Sequence, residues 1–148
     1  MAEDIPTLID TIARNARQAS LDLNGASTQD KNDALQAIAR SLESNRKTLL
    51  EENKKDLDAA EESGLSDAMI DRLRLTHERI DGMAKGLRQL IDLPDPVGAL
   101  IDKKTRPNGL EIRKIRVPIG VIGIIFESRP NVTICLLYTS DAADDTPC

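Results

Sequence analysis

The sequence predicts an α/β protein in which N-terminal helices are followed by a β-hairpin and by the first strand of a parallel sheet. Three observations lead to this fold class. Apolar residues recur at helical spacing up to about residue 93, a turn signal divides two strand-like runs within 94–118, and residues 119–126 are almost entirely aliphatic. We therefore divide the chain into a helical region (1–93), a hairpin (94–118), the start of an α/β domain (119–134) and a tail (135–148).

The first predicted helix begins after Asp4, which suits an N-cap, and ends before Gly25. Its apolar residues fall on one face and are Ile5, Leu8, Ile9, Ile12 and Ala16. Two more helices are predicted between Ser27 and Gly64. They are separated at Asn45, which stands where the pattern requires an apolar residue.

Two further helices complete the helical region. A short one follows Ser66, and a longer one begins at Thr76 and ends before Pro94. The apolar face of the longer helix consists of Ile80, Met83, Leu87, Leu90 and Ile91. His77 lies in its first turn, where we expect an exposed side chain rather than a ligand.

A hairpin is predicted around Pro107-Asn108-Gly109. Ile112 and Ile115 are out of phase for one face of a strand, so we expect a β-bulge near Arg113-Lys114. The hairpin is also the most basic stretch of the chain, with Lys103, Lys104, Arg106, Arg113, Lys114 and Arg116. These cations indicate either a solvated ribbon or a contact with another subunit or an anionic ligand.

The aliphatic run 119–126 lacks alternation, which favours a strand covered on both faces, as in a parallel sheet. Such a strand needs neighbours, and the sequence contains no second one. We therefore expect the chain to be incomplete. Its Gly120 and Gly123 form only G-x-x-G, which indicates close packing more than phosphate binding.

The end of the chain, CLLYTSDAADDTPC, continues none of the preceding patterns. It resembles the translated read-through of a transposon sequencing adapter, so we exclude residues 135–148 from functional reasoning. The chain's two cysteines, Cys135 and Cys148, both fall there and predict no disulfide framework. With a single histidine, no metal site is predicted.

Composition limits the possible functions. Of 148 residues, 40% are hydrophobic and 30% charged, with a net charge of −5, as in a folded, water-soluble protein. This acidic balance does not favour nucleic acid as a partner, and no apolar run approaches the ~20 residues that span a bilayer. The N-terminal MAEDIPTLID is unlike a secretory signal, so we expect a cytoplasmic protein.

Residues 28–134 resemble the N-terminal part of the gamma-glutamyl phosphate reductase family (glutamate-5-semialdehyde dehydrogenases) of the aldehyde dehydrogenase superfamily. The helical string from KNDALQAIARSL to MAKGLRQL, then LPDPVG, then RPNGLEIRKIRVPIGVIGIIFESRPNVT, occur in the family's order. The resemblance covers roughly the first third of a family member. It implies a truncated aldehyde-dehydrogenase-like fold, in which 119–134 begins a dinucleotide-binding domain.

The resemblance implies NADPH-dependent reduction of L-glutamyl 5-phosphate to L-glutamate 5-semialdehyde, a step of proline biosynthesis. A cysteine thiolate expels phosphate, and hydride then reduces the thioester. That thiolate lies downstream in the family and is not Cys135, so we expect the chain alone to be inactive. The family also forms homo-oligomers through a β-ribbon, which begins where the hairpin at 97–117 lies.

The resemblance also implies roles for single residues. Asn131 matches the asparagine whose amide stabilises the developing oxyanion, although it could also cap the helix that follows. Phe126, Glu127 and Ser128 match the loop that passes the cofactor. Arg129 is expected to bind the acyl phosphate or the substrate carboxylate, or else to pair with Glu127.

Two alternatives remain open from the sequence. The leucine periodicity of 1–93 would suit a small helical interaction module, which would have no use for the strand at 119–126. An aldehyde dehydrogenase of other specificity is the second alternative. It would be expected to carry an aromatic residue before the asparagine, where this chain has Pro130-Asn131.

Overall fold

The computed structural model describes residues 4–126 and 129–136. The elements follow the predicted order, helices first and the hairpin after them, and the helical and hairpin parts of the predicted fold are confirmed. In chain order they are α1 (Ile5–Leu23), α2 (Thr28–Ser44), α3 (Arg46–Glu62), α4 (Asp67–Leu73), α5 (His77–Ile91), β1 (Leu100–Thr105), β2 (Glu111–Ile115) and α6 (Val132–Cys135).

The described residues form two compact units. One takes its residues from 1–30 and 94–124, and therefore contains α1 and the hairpin. The other takes its residues from 31–93 and 125–148, and contains α2 from residue 31 onward together with α3, α4, α5 and α6. In the part of the chain that the structure covers, no helix is both long enough and apolar enough to span a membrane.

The helix boundaries follow local sequence signals. Ser27 and Asp30 form a reciprocal capping box at the start of α2: the Ser27 N–H donates to Asp30 Oδ2 at 2.9 Å, and the Asp30 N–H donates to Ser27 Oγ at 3.1 Å. The predicted break at Asn45 is confirmed, because α2 ends at Ser44 and α3 begins at Arg46. Its side-chain amide donates to the carbonyl of Ser41 at 2.9 Å.

The predicted limits of α5 are confirmed as well. Thr76 is the N-cap of α5, and its hydroxyl oxygen accepts a hydrogen bond from the Arg79 N–H at 3.1 Å. The helix ends at Ile91, before Pro94. His77 lies exposed in the first turn, as expected.

The second unit has a small aliphatic core. Its buried members come from α2, α5 and α6 and are Ala39, Ile80, Met83, Ala84, Leu87 and Ile134. One buried polar side chain supports this unit. The Asn53 amide nitrogen donates to the carbonyl of Leu73 at 2.9 Å, and its oxygen accepts from the Leu75 N–H at 2.7 Å. Asn53 thereby fixes the connection between α4 and α5.

The hairpin pairs β1 with β2 in antiparallel order. Gly109 closes the turn with a φ of 84°, a left-handed conformation that suits glycine. The predicted bulge position was wrong. The register shift lies on β1, between Leu100, which pairs with Ile115, and Asp102, which pairs with Lys114. Because every residue of the ribbon is exposed, no buried face requires the apolar residues of β2 to share one side.

The strand predicted over 119–126 is absent from the structure, which assigns no hydrogen-bonded strand to these residues. Gly120 has a φ of 98°, which lies outside the β region, and the covered residues provide only the β1–β2 pair as a sheet. The segment is exposed throughout, with Ile119 at 72% and Ile125 at 102%. The close packing expected at Gly120 and Gly123 is also not observed, since a Cβ at either position would meet nothing within 4 Å.

Candidate functional site

Asn131 lies directly before α6, and this short helix determines its place in the second unit. The backbone carbonyl of Asn131 accepts a hydrogen bond from the Ile134 N–H at 3.0 Å. Ile134 is buried in the core beside residues of α5 such as Ile80 and Leu87. The backbone at Asn131 is therefore connected to the core through one turn of helix.

The side chain of Asn131 is half-buried and makes no capping hydrogen bond, although the residue occupies the N-cap position of α6. Its φ of −67° and ψ of −26° are helical, whereas a capping residue normally has extended backbone. The alternative capping role is therefore not seen in this geometry. The carboxamide N–H groups take no part in capping, which uses the carboxamide oxygen as acceptor.

Arg129 lies two residues before Asn131 and is also half-buried. Its carbonyl accepts from the Val132 N–H at 3.0 Å, so the turn that begins α6 includes its backbone. The alternative partner Glu127 lies outside the described residues, as does Ser128. The predicted pairing of Arg129 with Glu127 therefore stays a prediction.

Phe126 is the one predicted cofactor-loop residue that the structure describes, and its side chain is 43% exposed. A dinucleotide usually binds where a parallel strand leads through a glycine-rich turn into a helix. Residues 4–126 and 129–136 contain no such strand, and α6 has only 4 residues. The described residues therefore do not fit a dinucleotide by themselves.

Several cations of the hairpin are paired within it. Glu111 lies 2.6 Å from Lys103 Nζ and 2.8 Å from Arg113 Nη2, and Lys104 Nζ lies 3.2 Å from Asp102. Two hydrogen bonds, the more important from Lys103 and the other from Arg113, hold the pKa of Glu111 below its ordinary value. This local neutralisation supports the interpretation of these three cations as parts of a solvated ribbon.

Metal-binding clusters were also considered. Within residues 4–126 and 129–136, no group of three or more His, Cys, Asp or Glu side chains could hold a metal ion.

Sequence reasoning missed the contribution of Ile134. The sequence places this residue at the start of the α/β domain without a role of its own, yet its side chain is buried in the core of the second unit. Its spacing of three residues from Asn131 places the two one helical turn apart, which is the signal that could have indicated it.

The known proteins named below, which resemble this chain in sequence and in structure, carry one name. No protein-family model matches the chain. The gamma-glutamyl phosphate reductase of Geobacillus sp. (strain WCH70) is 51% identical over 122 residues, which cover 82% of this chain and 30% of that protein. The reductase of Halalkalibacterium halodurans is 52% identical over 122 residues, covering 82% and 29%.

Solved structures agree with these relatives. The crystal structure of gamma-glutamyl phosphate reductase from Thermotoga maritima matches with a TM-score of 0.79 at 48% identity, over 82% of this chain and 30% of that one. The Saccharomyces cerevisiae enzyme matches with a TM-score of 0.81 at 35% identity, over 86% and 32%. The chain is thus homologous to these reductases over most of its length, and it spans about 30% of the length of the curated relatives.

Proposed function

We propose that this chain is the N-terminal part of a cytoplasmic gamma-glutamyl phosphate reductase, an oxidoreductase that converts L-glutamyl 5-phosphate to L-glutamate 5-semialdehyde and phosphate in proline biosynthesis. The observation that carries the proposal is the match to the Thermotoga maritima enzyme, at 48% identity and a TM-score of 0.79. Identity at this level supports a shared reaction as well as a shared fold.

In the proposed reaction, a cysteine thiolate of the whole protein attacks the acyl carbon of the substrate and phosphate leaves. NADPH, the proposed cofactor, supplies the hydride that reduces the thioester to the aldehyde and releases the thiolate. By the resemblance, the thiolate lies beyond residue 134 and is neither Cys135 nor Cys148. We therefore expect the 148-residue chain alone to show no turnover.

We assign Asn131 the role of stabilising the negative charge that develops on the acyl oxygen. The match of Asn131 to the asparagine of the family motif supports this role, and its carboxamide N–H groups can donate to an oxyanion because capping would use only the carboxamide oxygen. One such donor contributes roughly 3 kcal/mol to transition-state stabilisation in comparable sites. Asn131 would thus be a catalytic residue of the whole enzyme.

Arg129 is proposed to bind the phosphate or carboxylate of the substrate. Its planar guanidinium can donate two parallel hydrogen bonds to either group. Its place in the turn before α6, next to the proposed catalytic amide, supports this assignment. Of the contacts that hold NADPH, we assign to this chain only the backbone of Phe126, Glu127 and Ser128.

The whole protein is proposed to form a homo-oligomer through the hairpin. The ribbon exposes aliphatic side chains, for example Leu100 at 56% and Ile115 at 52%. A subunit contact would remove this apolar surface from water. We further propose that the exposed segment 119–126 becomes a sheet strand within the whole protein.

The two alternatives have less support. A purely helical interaction module would be expected to match relatives within residues 1–93, but the match extends over 122 residues. An aldehyde dehydrogenase of other specificity is disfavoured because the relatives described above are all named gamma-glutamyl phosphate reductase.

A chimera tests the role of Asn131. Residues 1–134 of this chain are joined to the C-terminal remainder of the Thermotoga maritima reductase, and kcat is measured from NADPH absorbance. Asn131→Ala should lower kcat by about 100-fold or more, because one oxyanion donor is lost. Asn15→Ala, at an exposed position in α1, is the matched control and should leave kcat unchanged. An unaltered kcat in Asn131→Ala would remove this residue from the mechanism.

A further inference from the structure

We propose that Ile134 is the positioning residue of Asn131: its buried side chain fixes α6 on α5 and thereby sets where the Asn131 carboxamide lies. The inference rests on the proposed function, since it assigns a determinant to the same catalytic group.

The first support is that α6 is too short to be stable on its own. It has 4 residues, and isolated helices shorter than about 12–15 residues are marginal in water. The turn therefore requires a tertiary contact. Of its side chains that the structure describes, Thr133 is exposed, Val132 is half-buried, and Ile134 is only 8% exposed.

The second support is the environment of that side chain. Ile134 belongs to the same buried cluster as Ala39 of α2 and as Ile80, Ala84 and Leu87 of α5, each of which is 0% exposed. Removing the Ile134 side chain would leave a cavity where the most deeply buried described side chain of the turn meets the core.

The third support is the short covalent and hydrogen-bonded path to the catalytic group. The Ile134 N–H donates to the Asn131 carbonyl at 3.0 Å, and the Leu136 N–H donates to the Val132 carbonyl at 2.9 Å. The Asn131 side chain has no capping hydrogen bond of its own, so its backbone determines its position. An oxyanion donor must lie within a few tenths of an ångström of its place, and a displacement of about 1 Å can cost about 100-fold in rate.

The test uses the chimera defined above and a double-mutant cycle. Ile134→Ala should lower kcat by about tenfold to 100-fold with little change in KM. The conservative Ile134→Val should recover most of the rate. In an Asn131→Ala background, Ile134→Ala should have no further effect on kcat, because its target is already absent. Thr133→Ala, on the exposed side of the same turn, is the matched control.

A second measurement uses the 148-residue chain itself and does not depend on activity. Ile134→Ala should increase the hydrogen-exchange rates of the Ile134 and Leu136 amides by about tenfold or more, while the amides of α3 keep theirs. Unchanged exchange at these two amides would overturn the inference, whether or not the chimera is active.

The outcomes separate the inference from the proposed function. A folded parent chimera without turnover contradicts the proposed function. An active chimera in which Asn131→Ala lowers kcat, but Ile134→Ala lowers it equally in both backgrounds, supports the function and overturns the positioning role of Ile134.

Discussion

The guanidinium of Arg88 in α5 donates two hydrogen bonds to the carboxylate of Glu43 in α2, one to each oxygen and both 2.7 Å long. The two side chains are partly exposed, at 41% for Arg88 and 35% for Glu43. This bidentate pair connects the same two helices whose aliphatic residues form the core of the second unit. It therefore lies at the edge of the packing that also holds Ile134.

The Glu43–Arg88 pair should make stability depend on pH. The hydrogen bonds from Arg88 lower the pKa of Glu43 below its ordinary value of about 4.3. A carboxyl group with a lowered pKa in the folded state stabilises the protein above its unfolded-state pKa and loses this effect as the pH falls through its folded-state pKa. We expect the Tm of the native chain to fall below about pH 4.3, and Glu43→Gln to reduce that fall.

Thermal unfolding followed by circular dichroism between about pH 3 and pH 7 measures this effect. The matched control is Glu61→Gln, at an exposed position in α3, which should leave the pH dependence of Tm as it is in the native chain. Identical pH profiles for Glu43→Gln and the native chain would show that the pair has no part in acid stability.

Asn53→Ala should destabilise the second unit. The Asn53 side chain is only 5% exposed, and its amide is the donor to the Leu73 carbonyl and the acceptor for the Leu75 N–H. The substitution removes both of these hydrogen bonds. Leaving such groups unpaired costs about 1–3 kcal/mol in the free energy of unfolding. Urea denaturation measures the loss, with Asn15→Ala at an exposed position as the control. A change as small as that of the control would contradict the bridging role of Asn53.

Gly109→Ala should destabilise the hairpin. Its φ of 84° costs an L-residue about 1–2 kcal/mol. The Arg106 N–H, which donates to the Leu110 carbonyl at 2.9 Å across the turn, should therefore exchange with solvent about tenfold faster. Gly25→Ala serves as the control, because a Cβ there meets nothing within 4 Å and the position has no left-handed φ. Equal exchange rates in the two variants would count against a left-handed turn.

The elements that the sequence predicts correctly carry local signals. Asn45 interrupts an apolar pattern, Thr76 caps a helix, and Gly109 follows Asn108 in a turn, so each boundary depends on a few neighbouring residues. The bulge was predicted on β2, whereas the structure has it on β1, opposite Ile115. Either strand of an exposed ribbon can carry the extra residue, so the sequence does not decide between them. The strand over 119–126 depends on partner strands, which a local pattern cannot supply.

The candidate site also has residues that a local motif indicates and contacts that depend on how the helices pack. Asn131 and Arg129 are proposed as site residues from a motif, and that proposal needs no knowledge of packing. The burial of Ile134 against α5 depends on which helices meet in space, as does the pairing of Arg88 with Glu43 across 45 residues of sequence. The pairing of Arg88 with Glu43 has no periodic signature in the sequence. The spacing of Ile134 from Asn131 indicates a helical turn but does not show which helix Ile134 packs against.

The central claim is that residues 1–134 perform the task of the corresponding part of a gamma-glutamyl phosphate reductase. The most direct measurement is the rate at which the chimera with the Thermotoga maritima remainder reduces NADP⁺ in the presence of L-glutamate 5-semialdehyde and phosphate. We predict a saturable rate within about tenfold of the intact Thermotoga maritima enzyme, equivalent to about 1.4 kcal/mol in activation free energy. A folded chimera that shows no phosphate-dependent reduction of NADP⁺ would contradict the claim.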